Sequence, residues 1–242
     1  MKAAAIGLAA VLVLGASGTT ARHAIGATSS PERRCQKARL DAAAKYLSCH
    51  QKVLGKRYST DFYPDLQTAM RRCRATYQLT WPKLQATPQL AGTSCAQPRF
   101  ADQGDGTVLD NLTSLVWEKK TDDGGVHDKD DLYTWSAPGS FDETGTAFSG
   151  FLPALDAVTF AGSAGWRVPT LAELQTIMPA AEPCSVPCID PIFGLTSSSL
   201  HWTSTSGETP DQVSFVSFSN GQISFGDAKE IPYAVRAVRG RL

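Results

Sequence analysis

A short acidic stretch is the densest group of potential ligand residues in this 242-residue chain. Carboxylate and carbonyl oxygens are the ligands that a hard cation such as Ca²⁺ prefers, and they also accept hydrogen bonds from sugars. The candidate calcium ligands are Asp122, Asp123, Asp128 and Asp130, followed by Asp131. Their spacing does not match an EF-hand loop, and a solvated loop explains them equally well. We therefore expect no obligatory cofactor, with Ca²⁺ as the one candidate.

Aromatic residues beside this stretch could offer stacking faces to a sugar ring. Tyr133 and Trp135 follow the carboxylates, and Trp202 is flanked by a histidine and small hydroxyl residues. Trp117 and Trp166 are predicted to belong to the core, as most large aromatic residues do. The predicted ligand-binding set is Asp128, Asp130, Tyr133, Trp135 and Trp202.

Other patterns argue against further sites. Asp102, Asp105 and Asp110 alternate with glycines where an EF-hand needs ligands, which predicts a hairpin turn instead. The chain contains no nucleophile elbow, phosphate-binding loop or HExxH zinc motif. We therefore predict that the protein is not an enzyme, and we assign no catalytic residue.

The first 24 residues have the pattern of a secretory signal peptide. Lys2 precedes an uncharged apolar run, 6–16, and small residues follow, so cleavage is expected after Gly18, Ala21 or Ala24. A membrane span needs roughly 20 apolar residues, which neither this run nor any later segment reaches. The mature protein is expected in the periplasm, at the cell surface or in the medium.

Six cysteines in an exported chain predict disulfides, and the absence of a C-x2-C pair argues against zinc. Residues 33–95 are predicted to form a helical hairpin, because apolar residues recur at helical spacing in two runs. Gly55 is expected to end the first helix and Pro82 the second. The favoured pairs are Cys49–Cys73, Cys35–Cys95 and Cys184–Cys188, although the first four cysteines allow two other connectivities.

Residues 99–242 change to short β-rich segments separated by turn residues, which predicts an α+β module. Thr170 and Glu173 are predicted to form a capping box at the start of a helix over 170–178, and Asn220-Gly221 a type I′ turn. Arg167 is expected to pair with a nearby carboxylate. Another helix is predicted over 150–161. The predicted strands are 107–110, 115–118, 201–205, 212–219, 222–225 and 233–239.

The net charge of zero conceals an asymmetry between the two halves. Residues 25–98 contain 12 lysines and arginines against 4 carboxylates, or +8, whereas residues 99–242 contain 9 against 19, or −10. Mutual attraction and solubility explain this division. Alternatively, the basic half contacts a polyanion or an anionic surface.

From Arg99 to the C-terminus, the chain resembles the Lcl C-terminal domain family. FADQGDGTVLDNLTSLVWEKKTDDGGVHD resembles its opening, GWRVPTLAELQTI its central signature, and HWTSTS, SFVSFSNG and YAVRAVR its closing strands. The resemblance implies a C-type-lectin-like fold on an exported bacterial protein. The namesake member is a collagen-like adhesin whose terminal domain binds sulfated glycans. The present chain has no collagen repeat, so that architecture does not transfer.

Calcium-dependent lectins of the implied fold usually carry a Glu-Pro-Asn or Gln-Pro-Asp tripeptide. The nearest match is Glu182-Pro183-Cys184, and Trp202 is followed by Thr203 and Ser204 rather than by Asn and Asp. Sugar binding by that mechanism is therefore not expected.

The sequence thus predicts an exported bacterial binding or surface-interaction protein with a glycan or adhesion ligand. It predicts no nucleic-acid partner and leaves the oligomeric state open. One alternative is an enzyme of the same fold, of the formylglycine-generating oxidase type, for which Cys184 and Cys188 would be the only close cysteine pair. The other is a structural envelope protein without a ligand.

Overall fold

The computed structural model describes residues 29–59, 64–180, 183–226 and 228–242, and the predicted signal peptide lies outside these ranges. The described part of the chain begins with two long helices, α1 (Pro31–Ser59) and α2 (Pro64–Gln78), and the short α3 (Thr80–Gln85). Both long helices begin at a proline, whose missing N–H costs nothing in a first turn. The predicted helical hairpin is therefore present.

Two predicted helix ends are wrong. Gly55 does not end α1, which continues to Ser59. A glycine inside a helix costs only about 1 kcal/mol, and neighbouring Val53 and Leu54 pack against the core. Pro82 does not end α2 either, because it lies in the first turn of α3, where backbone N–H groups have no intrahelical acceptor.

All six cysteines form disulfides, at the pairs that the sequence favoured. Cys35 is bonded to Cys95 and Cys49 to Cys73, each with a Cα–Cα distance of 5.8 Å. Cys184 is bonded to Cys188 across 5.3 Å. The first two disulfides attach α1 to α2 and to the segment that leads into the sheet.

Two antiparallel sheets follow. The first has the strand order β1 (Phe100–Asp102), β2 (Thr107–Asp110), β3 (Val116–Glu118), β7 (Val238–Arg239). The second contains β4 (Leu200–Ser206), β5 (Val213–Ser217) and β6 (Ile223–Phe225). The strand predicted over 233–239 is regular only at β7, and its earlier part forms single bridges to Tyr133 and His201. The last strand thus returns to the sheet in which the module begins, and the α+β prediction is confirmed.

The two predicted turns have different outcomes. Gly104 and Gly106 have φ values of 75° and 86° in the β1–β2 hairpin, as the glycine pattern predicts. The predicted type I′ turn at Asn220-Gly221 is wrong, because only Gly221 has a positive φ, at 72°. The loop is longer than two residues, and the Gly221 N–H donates to the Ser217 carbonyl at 2.9 Å.

The helices of the module are shorter than predicted. The helix predicted over 150–161 is α4 (Leu152–Ala157), preceded by a π-helical turn, Ala147–Phe151. Helix α5 (Leu171–Thr176) begins at the predicted capping box of Thr170 and Glu173.

The hairpin packs directly on the α+β module. Leu66 and Met70 of α2 belong to the same apolar cluster as Trp117 of β3 and Leu171 of α5. The Tyr46 hydroxyl of α1 donates to the Ala172 carbonyl at 2.8 Å. The two predicted segments therefore share a core, and experiments on the protein require the whole chain.

Candidate functional site

The loop predicted to carry the calcium ligands follows β3 and is closed by its own backbone. The Thr121 N–H donates to the His127 carbonyl, and the Lys129 N–H donates to the Thr121 carbonyl, both at 2.9 Å. We call residues 121–131 the acidic loop. Its closure brings the carboxylates of its two ends together.

Asp128 is buried and holds the acidic loop in shape. Its carboxylate accepts the Asp130 N–H at 2.8 Å and the Gly124 N–H at 2.6 Å. These two hydrogen bonds lower the pKa of the Asp128 carboxyl. A carboxylate so engaged is a structural element of the loop as well as a potential ligand.

Three of the four predicted calcium ligands lie together. Oxygen atoms of Asp122, Asp128 and Asp130 all lie within 4.8 Å of one another. Asp123 lies outside the group, and its Oδ1 accepts the Gly125 N–H at 2.9 Å. The three grouped carboxylates could hold a hard cation.

A lysine already neutralises part of this cluster. Lys129 Nζ lies 3.3 Å from Asp122 Oδ2 and 2.5 Å from Asp130 Oδ2. The hydrogen bond to Asp130 is the main reason that the pKa of Lys129 is raised. A metal ion bound to both of these carboxylates would therefore have to displace the ammonium group.

The predicted aromatic platforms are not at the surface. Trp202 is fully buried, and Trp135 is only 3% exposed. Their indole N–H groups donate to backbone carbonyls, Trp202 to Tyr133 at 2.8 Å and Trp135 to Thr203 at 3.0 Å. The prediction that these two indoles stack on a ligand is therefore wrong, because the rings belong to the core of the module.

The remaining member of the predicted set is partly accessible. Tyr133 is half-buried, its ring stacks on Phe151, and its hydroxyl donates to Asp131 Oδ2 at 3.2 Å. Burial and the neighbouring carboxylate both raise the pKa of this hydroxyl. Tyr133 therefore stays a neutral hydrogen-bonding group beside the acidic loop.

A buried charged cluster behind the acidic loop was missed by the sequence analysis. The fully buried Glu118 carboxylate lies 3.0 Å from Lys120 Nζ and 2.9 Å from His127 Nδ1. Its other oxygen accepts the Ala237 N–H at 2.9 Å. Burial alone would raise the pKa of Glu118, but Lys120 and these hydrogen bonds lower it overall. The cluster thus anchors His127, and with it the acidic loop, to the first sheet.

Arg236 completes this cluster. Its guanidinium donates to the carbonyls of Glu118 at 2.6 Å and Phe193 at 3.0 Å, and to Thr196 Oγ1 at 2.6 Å. Burial lowers its pKa to about 10, against the opposing effect of Glu118. A signal was visible in the sequence, because Glu118 directly follows apolar residues of a predicted strand and Arg236 interrupts the apolar run AVRAV.

A groove of about 870 Å³ lies at one side of the acidic loop. Its lining is mostly apolar and includes the exposed side chains of Val186 and Leu195. Arg99, Lys129 and Asp190 supply charge, so one lysine belongs both to the groove and to the acidic loop. This volume is typical of small-ligand sites, which combine apolar walls with a few polar groups. The lining segments are 177–179, 183–187, 189–191 and 194–196, together with Gln78 and Phe100.

The region that contains the acidic loop and the two sheets has a family assignment. The Lcl C-terminal domain matches residues 106–239, more than half of the chain. The chain belongs to the Lcl C-terminal domain family. The matched region begins in the β1–β2 turn and ends in β7, so the helical hairpin lies outside the Lcl C-terminal domain. No curated protein sequence and no solved structure matches the chain.

Family membership and the disulfides together indicate an extracellular or cell-surface protein. Within the described residues, no helix has both the length and the apolar character needed to cross a membrane. Within this domain, Glu118, Arg167 and Arg236 make buried or half-buried contacts that connect earlier segments to the end of the chain.

Proposed function

We propose that this protein is exported and binds an extracellular ligand, a glycan or another surface ligand, in the groove beside the acidic loop. The observation that carries the proposal is the position of Lys129, which lines the groove and also contacts Asp122 and Asp130. Apolar walls next to charged and carbonyl groups match the two faces of a saccharide, which are aliphatic and hydroxylated. The signal-peptide pattern supports export.

The proposal includes a C-type-lectin-like fold for residues 99–242. Two antiparallel sheets, two short helices and a final strand that pairs beside the opening hairpin support this assignment. The indoles of Trp135 and Trp202 are buried and cannot stack on a sugar ring as the sequence predicted. Apolar surfaces for a sugar ring would therefore have to come from the groove. The apolar lining of the groove, which includes Phe100, Pro187 and Leu195, supplies such surfaces.

A binding role is favoured over an oxidase role by the environment of the third disulfide. Cys188 is fully buried and is bonded to Cys184, which lines the groove. A buried, crosslinked cysteine shapes the wall of a binding groove. The rival class is tested directly by assaying the purified protein for oxidation of a peptide cysteine in the presence of copper.

The test of binding is a glycan array probed with the whole chain, with and without calcium. Leu195→Asp places a charge on the groove wall at a side chain that is 56% exposed, so the fold should tolerate it. Val158→Asp is the matched control, since Val158 is 65% exposed and lies outside the groove. We expect discrete hits that Leu195→Asp abolishes and Val158→Asp preserves. A silent array, or hits that survive Leu195→Asp, would contradict the proposal.

A further inference from the structure

The exposed side of α1 carries a broad row of cations spaced along its length. Its exposed basic residues are Arg33, Arg34, Lys37, Lys45, Lys52 and Lys56. Asp41 is the one exposed carboxylate among them, and it pairs with Lys37 at 2.6 Å. At 1.5 Å per residue, the row extends for about 35 Å along the helix. We call this row the basic face.

The basic face is exposed to solvent. Lys45 and Lys52 are two helical turns apart and therefore lie on the same side of α1. Cys35, Ala42 and Tyr46 are buried on a different side, against α2, α3 and the α+β module. Neither Lys45 nor Lys52 forms an ion pair or a hydrogen bond with a described residue. The attraction between the two oppositely charged halves therefore does not account for these lysines.

We propose that the basic face docks on an anionic lipid bilayer, as a second binding surface independent of the groove. An anionic leaflet attracts lysine and arginine side chains, and each one near the surface contributes to binding. At about 100° per residue, these six cations occupy a sector of about 140° around α1, so a plane that faces the middle of the sector is within reach of all of them. The proposed partner is a membrane that contains anionic phospholipids, held by peripheral contact.

An exposed leucine favours a lipid surface over a soluble polyanion. Leu40 is 71% exposed, on the side of α1 next to Arg33 and Lys37. An apolar side chain among cations gains nothing from a sulfated or phosphorylated polymer. At a bilayer it inserts at the boundary between headgroups and acyl chains while the lysine stems extend to the phosphates.

The acidic charge of the module weakens this contact only in part at physiological salt. The module packs on another side of α1, through contacts such as that of Tyr46 with Ala172. A helix is roughly 10 Å across and the Debye length is about 8 Å at physiological ionic strength, so the charges of the module are screened more strongly than cations that touch the bilayer. The bilayer therefore responds mainly to the basic face rather than to the net charge of zero.

The test is flotation of the whole chain with phosphatidylcholine vesicles, with and without phosphatidylglycerol, at physiological salt. We expect binding only to the anionic vesicles and release at high salt. At about 1 kcal/mol per cation, Lys45→Gln/Lys52→Gln should lower the partition coefficient by about 30-fold. Asp41→Asn should raise it. Lys83→Gln, which neutralises an exposed lysine on α3, is the matched control and should change it little.

A second pair of measurements separates the lipid from a soluble polymer. Leu40→Ser should weaken vesicle binding without changing retention on dextran sulfate. Equal binding to neutral vesicles, an unchanged partition coefficient for Lys45→Gln/Lys52→Gln, or retention on dextran sulfate without any vesicle binding would each overturn the proposal. Circular dichroism of each variant confirms that α1 remains helical, since all the substituted side chains are exposed.

Discussion

The guanidinium of Arg167 donates two parallel hydrogen bonds to the carboxylate of Glu173, at 2.7 and 2.8 Å. The same carboxylate accepts the Thr170 N–H at 2.9 Å and so completes the cap of α5. Arg167 also donates to the Gly240 carbonyl, which connects the start of α5 to the end of the chain. One ion pair thus connects the segment around Arg167, the N-terminal cap of α5 and the C-terminal end of the chain.

Removing this arginine should destabilise the whole protein. Arg167→Ala leaves the buried Glu173 carboxylate without its main partner, and we expect a loss of about 2–3 kcal/mol in the free energy of unfolding. Arg167→Lys should recover only part of it, because lysine cannot form the bidentate contact. Urea unfolding measures the effect, with the exposed Arg241→Ala as the control. Equal stability of Arg167→Ala and Arg241→Ala would show that the ion pair contributes nothing.

The buried cluster predicts strong coupling between Glu118 and Lys120. Either single substitution, Glu118→Gln or Lys120→Met, leaves a buried charge without its partner. Each should lower the free energy of unfolding by about 3–5 kcal/mol. The double variant should lose less stability than the sum of the two single losses, because neither side chain of the pair then carries an unpaired charge. A double-mutant cycle by chemical unfolding gives the coupling energy. Strict additivity would mean that the two side chains do not interact.

Lys129 predicts how the acidic loop responds to calcium. Lys129→Met removes the ammonium from between Asp122 and Asp130, so the carboxylates should repel one another and bind Ca²⁺ more tightly than in the wild-type protein. Isothermal titration calorimetry measures this affinity. Lys119→Met, which removes the lysine paired with Asp102, is the matched control and should behave like the wild type. An identical calcium response in all three proteins would rule out a cation site in this loop.

Two buried histidines predict a loss of stability on mild acidification. Burial is the main reason that the pKa of His50 falls to about 4 and that of His201 to about 3, from 6.5. The unfolded chain therefore binds more protons below pH 6.5, and stability decreases as the pH falls. Between pH 6.5 and 5, where carboxylates remain ionised, each histidine should contribute a loss of about 1.6 kcal/mol.

His50→Gln tests this assignment, because it removes one of the two titrating groups. The variant should show a smaller decrease in the free energy of unfolding between pH 6.5 and 5 than the wild-type protein shows. An unchanged pH dependence would mean that His50 is not neutral and buried in the folded state.

Local patterns in the sequence were sufficient to predict several structural features of the protein. The capping box of Thr170 and Glu173 depends on residues three positions apart, and the disulfide Cys49–Cys73 follows from the antiparallel arrangement of two amphipathic helices. The position of the acidic loop also follows from composition alone. Short-range geometry determines each of these, so the sequence by itself determined them.

Only the tertiary structure decided which residues are accessible. Trp135 and Trp202 are flanked by polar residues, yet strands distant in sequence enclose both rings. Glu118 and Arg236 are 118 positions apart, and they meet only because β7 returns to pair with β3. Burial and charge pairing depend on such long-range packing, whereas the sequence around each residue reports only its immediate neighbours. For this reason the groove beside Lys129, and the side of α1 on which the cations of the basic half lie, emerged only once the chain was folded.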